Sequence, residues 1–251
     1  MTVREIYDYI DSIAPFSAAA QWDNSGLLIG SPDAIIEKIV VCLDVNDDVV
    51  DFAVRENAQL IISHHPVIFR PVRNFCDGSV AYKAALNKIN IISAHTNLDK
   101  AVGGVNDTLC EKLGLGYKKV SDEICDGFLN IIDVEQGIIS DDLASLIKKA
   151  LGTIVTFCRT DRKITRIGVC CGSGADFVND AAALGCNAFI TGEASYHEFL
   201  DAKNSGICLF ACGHFETEIH IVRKLKELIS AEFNTVSVLD YTEKNSIVTE
   251  I

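Results

Sequence analysis

The sequence predicts an α/β protein of two similar α/β domains related by an internal repeat, each with a mixed, largely parallel sheet, and with a candidate metal site between them. Three observations carry this expectation. Short apolar runs alternate with helical stretches, the second half repeats the first at a nearly constant offset, and His and carboxylate residues recur just past equivalent strand ends. Alternating strands and helices mark parallel βαβ units. In such sheets the loops after the strand ends carry the functional groups.

The elements follow in order. Thr2-x-x-Glu5 is a capping box that opens a helix, with Ile6, Tyr9, Ile10 and Ile13 as its apolar stripe before Pro15. Then come a strand over 39–43, a helix beginning near Asn46, a strand over 60–63, a helix over 82–88 and a strand over 89–94. Ile39-Val40-Val41-Cys42 and Leu60-Ile61-Ile62-Ser63 match Ile167-Gly168-Val169-Cys170 and Ala188-Phe189-Ile190-Thr191, both at a shift of 128 (Cys42 to Cys170, Ile62 to Ile190). Further on, 91–95 aligns with 209–214, which is one residue longer, with His95 falling on His214 at a shift of 119. Gly and charged residues cluster over 116–127, which sets the domains at 1–120 and 121–251. A helix over 140–151 has Ser140, Asp141 and Asp142 at its start, Lys148 and Lys149 in its last turn and Gly152 beyond. The final strands, near 236–239 and 247–251, fit either sheet and are free to return to the first.

Composition narrows the function. With 22 basic against 35 acidic residues the net charge is −13, which disfavours a protein that grips nucleic-acid phosphates. No apolar run reaches the roughly 18 to 20 residues of a membrane helix, and Met1-Thr2-Val3-Arg4-Glu5 lacks a signal-peptide core, so a cytoplasmic protein is expected. The ten cysteines include no Cys-x-x-Cys pair and read as reduced, buried small hydrophobes rather than a thiolate metal site.

The residues suited to chemistry lie past the strand ends. His64-His65 follows one strand, His95-x-x-x-Asp99 another, and His214-x-x-x-Glu218 the repeat of the second. Residues four apart on a helix share a face and converge. Adjacent residues of an extended chain point apart, so His64 and His65 are expected to serve two centres. Neutral imidazoles and carboxylates suit a pair of first-row divalent ions roughly 3.5 to 4 Å apart. The competing structural roles are strand-end hydrogen bonding for the His pair, helix capping for Asp99 and a solvated helix face for Glu218. His220 is expected at the surface, and His197 is open between supporting the site and facing solvent. Gly172-Ser173-Gly174 reads as a turn more readily than as a phosphate cradle.

Taken together, Trp22-Asp23-Asn24-Ser25-Gly26-Leu27-Leu28-Ile29-Gly30, Ser63-His64-His65-Pro66, Ala94-His95-Thr96-Asn97-Leu98-Asp99, Gly103-Gly104-Val105-Asn106, Thr191-Gly192-Glu193 and Gly213-His214-Phe215-Glu216-Thr217-Glu218 resemble the GTP cyclohydrolase I type 2 homologue family. The chain is similar to a short member, without the domain that longer members insert between the halves. The resemblance implies two α/β domains facing each other across a two-metal site, and six subunits in a hollow ring. It implies His64, His65, Asp99, His214 and Glu218 as metal ligands, with Asp99 or Glu218 as bridges. His95 and Glu193 match positions near the site and are the candidates for moving a proton. The expected cofactors are two divalent ions per subunit, drawn from Zn, Mn, Fe, Co and Ni. The expected activity is hydrolysis of a small molecule, with GTP as the nucleotide suggested by the family name, hydroxide attacking C8 of guanine and formate leaving. The alternative from a different class is a metal-handling or adaptor ring without turnover.

Overall fold

The computed structural model describes residues 1–120 and 124–243. They pack into two compact units, Met1–Val102 with the chain from Ile221 onward, and Gly103–His220. The sequence reading divides the chain at residue 120. The packing divides it earlier, at Val102 and Gly103, because the helix over 105–113 packs on elements of the second unit.

In the first unit, α1 (Val3–Ile13) opens on the expected capping box. The Thr2 hydroxyl accepts from the Glu5 N–H at 3.4 Å, and the Glu5 carboxylate accepts from the Thr2 N–H at 2.6 Å. Val3, Ile6 and Ile10 form its buried face. Then follow β1 (Gly26–Ile29), β2 (Lys38–Cys42), α2 (Asp47–Arg55), β3 (Leu60–Ser63), α3 (Val80–Leu86), β4 (Asn90–Ser93) and α4 (Thr96–Lys100). Asn46 caps α2 by accepting from the Val49 N–H at 2.9 Å.

The second unit holds α5 (Val105–Leu113), β5 (Lys118–Lys119), β6 (Asn130–Ile138), α6 (Ser140–Leu151), β7 (Thr156–Phe157), β8 (Ile164–Val169), α7 (Val178–Ala183), β9 (Ala188–Thr191), α8 (Tyr196–Asn204), β10 (Cys208–Ala211) and α9 (His214–Glu218). Gly152 ends α6 in the left-handed conformation at φ 68°, as its place in the sequence suggested. The chain then returns to the first unit through α10 (His220–Glu232) and β11 (Ser237–Tyr241).

Among the described residues the first sheet has the order β1-β4-β3-β2-β11 and the second β5-β6-β8-β9-β10-β7. β2, β3, β4 and β11 run parallel, with β1 antiparallel at the edge. In the second sheet β8, β9 and β10 are parallel and β5, β6 and β7 antiparallel to their neighbours. The repeat therefore holds at the level of register. Ile39 pairs with Leu60 and Val40 with Ile61, while Ile167 pairs with Ala188 and Gly168 with Phe189, each at the shift of 128. An antiparallel strand flanks each third strand, β1 on β4 and β7 on β10.

The repeat departs in two places. β11 joins β2 in parallel, Ser237 opposite Lys38 through Tyr241 opposite Cys42, whereas β6 joins β8 antiparallel. The strand expected near 236–239 thus belongs to the first sheet, and the one expected over 247–251 lies outside the described residues. From β4 to β10 the shift is 118 (Asn90 to Cys208), one short of the value that superposes His95 on His214. His95 consequently precedes α4, while His214 is the first residue of α9.

The two cores fill equivalent space differently. Val40 and Ile61 are neighbours in the first sheet, and at the same places in the second stand Gly168 and Phe189. A Cβ at Gly168 would lie 2.8 Å from the Phe189 ring and 2.9 Å from the Ala181 Cβ on α7. The large ring occupies the space that a side chain on β8 would need. Among the described residues no helix is long and apolar enough to cross a membrane. Gly168→Val should overpack this layer and destabilise the protein by about 1–3 kcal/mol in denaturant unfolding, and an unchanged midpoint would show that Phe189 does not fill that space.

Candidate metal centre

In the first unit the ends of β3 and β4 are tied by Ser63, whose hydroxyl donates to the His65 carbonyl at 2.8 Å and lies 2.8 Å from that of Ser93. The chain bends at His64 and His65, ahead of Pro66. Their rings come to 4.9 Å between centroids, tilted by 40°. The two side chains do not point apart as they would in an extended chain, because the strand has ended at Ser63.

His64 Nδ1 lies 2.9 Å from the Ala94 carbonyl oxygen. A carbonyl only accepts, so Nδ1 carries a proton, and in the neutral ring Nε2 presents a lone pair. His65 Nδ1 lies 2.7 Å from Asp44 Oδ1, and His95 Nδ1 lies 2.8 Å from Asp23 Oδ1. One nitrogen from each of the three imidazoles lies within 4.8 Å of the other two. Asp99 joins them one turn along α4, with its N–H on the His95 carbonyl at 3.0 Å and Oδ1 3.5 Å from His64 Nε2. Both His64 and Asp99 are buried.

Asp23 is the anchor for His95. Its carboxylate also accepts from Ser25 Oγ at 2.7 Å and from the Thr96 N–H at 3.1 Å. Burial pushes the Asp23 carboxyl up, but the hydrogen bonds from His95, Thr96 and Ser25 outweigh it and hold the group far below the usual carboxylate range. Asp23 is therefore an anion facing His95.

The second unit repeats the device. Gly172, just past β8, adopts φ 56°, and a Cβ there would lie 2.2 Å from Glu218 Oε1 and 3.1 Å from His214 Nε2. This is a close backbone approach that only glycine permits. Ser173 Oγ donates to Glu193 Oε2 at 2.6 Å, the same carboxylate oxygen lies 3.1 Å from His214 Nδ1, and His214 Nε2 lies 3.2 Å from Glu218 Oε2. The Ser173 hydrogen bond lowers the Glu193 pKa, burial raises it, and the His214 contact lowers it again, with a net downward shift.

The structure thus groups His64, His65, His95 and Asp99 in one unit, and His214, Glu218 and Glu193 in the other. His197 is exposed on α8. His220, expected at the surface, is half-buried at the start of α10, and burial with Lys112 nearby pushes its pKa down. The sequence reading assigned no role to Asp44, Asp23, Ser25, Thr96 or Ser173. The one local signal was position, since Asp44 follows β2 as His64 follows β3, and Ser173 lies in the loop after β8. Nitrogen donors held by hydrogen bonds on the opposite ring atom, with carboxylates beside them, are a set suited to first-row divalent ions.

The family model for Duf34/NIF3 (NGG1p interacting factor 3) matches residues 1–246. The chain belongs to this family. It is 31% identical over 245 residues to the Clostridium perfringens GTP cyclohydrolase 1 type 2 homolog, covering 94% of each chain. A Helicobacter pylori protein named GTP cyclohydrolase 1 type 2 is 29% identical over 251 residues, covering 98% of this chain and 99% of that one. The crystal structure of Staphylococcus aureus protein SA1388 matches the fold with a TM-score of 0.90 at 28% identity, covering 100% of this chain and 99% of the other. Those relatives and this member of the Duf34/NIF3 family are thus alike over nearly their whole lengths.

The orientation of the imidazoles is open to test without any ion. Nitrogen-15 NMR should find His64 protonated at Nδ1 and bare at Nε2, the reverse of the tautomer favoured by free imidazole side chains. A proton on Nε2 with Nδ1 bare would contradict the Ala94 hydrogen bond.

Proposed function

We propose that this protein is a dinuclear metal-dependent hydrolase acting on a nucleotide. In this reading His64, His65 and Asp99 from one unit, and His214 and Glu218 from the other, together hold two divalent ions. The observation that carries it is the common orientation of His64, His65 and His95, whose Nδ1 atoms all face oxygen and whose donor nitrogens cluster. The residues suit Zn, Mn, Fe, Co or Ni, since imidazole and carboxylate accept all of these. The substrate comes from the names of the relatives, which point to GTP. In that reaction one water adds at C8 of guanine and the imidazole ring opens to a formamide, and a second water then cleaves the remaining C8–N bond and releases the carbon as formate.

When bound, such ions supply Lewis acidity and acidify a water to a pKa of about 7. The protein's own residues do the rest. Ala94, Asp44 and Glu193 hold His64, His65 and His214 in orientation from behind. Asp23, kept ionised by its own hydrogen bonds, stabilises a proton arriving on His95 and makes that imidazole the group that moves it. Glu193, tied to both Ser173 and His214, acts on His214 rather than as a second proton carrier. The assembly proposed with this activity is the cytoplasmic homohexamer implied by the family resemblance.

Elemental analysis of the purified protein, beside His64→Ala and Glu218→Ala, tests the ligand set. About two ions per chain are expected, with losses in both variants, and formate should appear when GTP is supplied. His95→Gln should keep its metal while kcat falls by roughly 10²- to 10⁴-fold. Loss of metal in that variant would make His95 a ligand instead. Near-zero metal in the wild type would remove the proposal, and full metal without turnover of any nucleotide would favour a metal-handling ring.

A further inference from the structure

Trp22 and Phe69 stand at the rim of the His64–His65–His95 cluster, and both are exposed, at 63% and 44%. Their ring centroids are 6.0 Å apart at 64°, and each lies beside His95, at 6.2 Å and 6.1 Å. Large aromatic side chains gain most from burial, so two left open beside a cluster of imidazoles call for a partner. The backbone beside each ring is also tied down. Asp23, next to Trp22, bonds His95 and Thr96, and the Asn24 side-chain amide donates to the Ile68 carbonyl, which joins the two loops.

Charge supplies the second observation. In a chain of net charge −13, residues 66–75 carry Arg70 and Arg73 and no acid, and the stretch 69–78 is exposed. Neither guanidinium forms an ion pair among the described residues. Arg presents a planar fork that fits phosphate oxygens, and flat heteroaromatic rings stack on Trp and Phe whatever their substituents.

We propose that Trp22 and Phe69 form a stacking platform for the flat ring of an anionic heteroaromatic ligand, and that Arg70 and Arg73 take its negative charge. The ring would then lie against the edge of His95, where the hydrolase reading needs its reacting carbon. What becomes of the ligand rests on that reading, whereas the binding itself does not.

Trp22 is the single tryptophan of the chain, so its fluorescence reports directly on this platform. GTP and guanosine should each quench it saturably, and inorganic triphosphate should not. Phe69→Ala should weaken both ring-bearing probes by about 5- to 150-fold, and the Arg70→Ala/Arg73→Ala double variant should weaken GTP alone. Quenching by guanosine should survive in His64→Ala, so that a failed metal site and a failed platform give different results. The proposal is overturned if neither GTP nor guanosine quenches at millimolar concentration, if Phe69→Ala binds both as the wild type does, or if quenching disappears in His64→Ala. An unchanged GTP affinity in the double arginine variant would overturn the assignment of charge to this loop.

Discussion

The site depends on a single kind of interaction, a hydrogen bond from the Nδ1 proton of an imidazole to a fixed oxygen. His64 gives that proton to the Ala94 carbonyl, His65 to Asp44 and His95 to Asp23. Each bond sets both the tautomer and the direction of the ring, so that in the proposed reading the opposite nitrogen serves as a metal donor on His64 and His65 and as the proton-moving atom on His95. The backbone register makes the first of these possible. Ser63 lies opposite Ser93 in the parallel β3–β4 pair, which places the Ala94 carbonyl beside the His64 ring. A slip of one residue would carry each side chain to the other face of the sheet and separate the two.

The second unit reaches the same arrangement with different parts. Glu193 takes the place behind His214 that Asp44 takes behind His65, and Ser173 holds that carboxylate. The cores show the same freedom. Phe189 against Gly168 does the work of Ile61 against Val40, so the repeat is kept in register while the volumes are redistributed between neighbouring strands. The strand beside the repeated core, next to β2 in one sheet and β8 in the other, differs in direction, β11 parallel and β6 antiparallel.

Much of the fold was legible because its signals are local. The run Leu-Ile-Ile-Ser at residues 60–63 reads as a buried strand on apolar pattern alone, and Thr2 with Glu5 announces a helix within four residues. The repeat was legible because 128 residues separate equivalent strands without a gap. What escaped the sequence reading is what depends on contacts between distant segments. Asp23 meets His95 across 72 positions, and Ser173 meets Glu193 across 20, so neither spacing announces a pair. The 119-residue alignment of His95 with His214 was reasonable chemistry, but strand pairing places the two one step apart in their elements. The earlier division of the chain likewise follows from the packing of α5, which composition does not reveal.

The central claim is that the imidazoles of His64 and His65 are set in advance as nitrogen donors to metal. X-ray absorption at the edge of the bound metal tests it most directly. The account expects a first shell of nitrogen and oxygen at about 2.0–2.2 Å with the scattering pattern of several imidazoles. A shell of sulfur at about 2.3 Å, drawn from the ten cysteines, or a shell without imidazole, would contradict it.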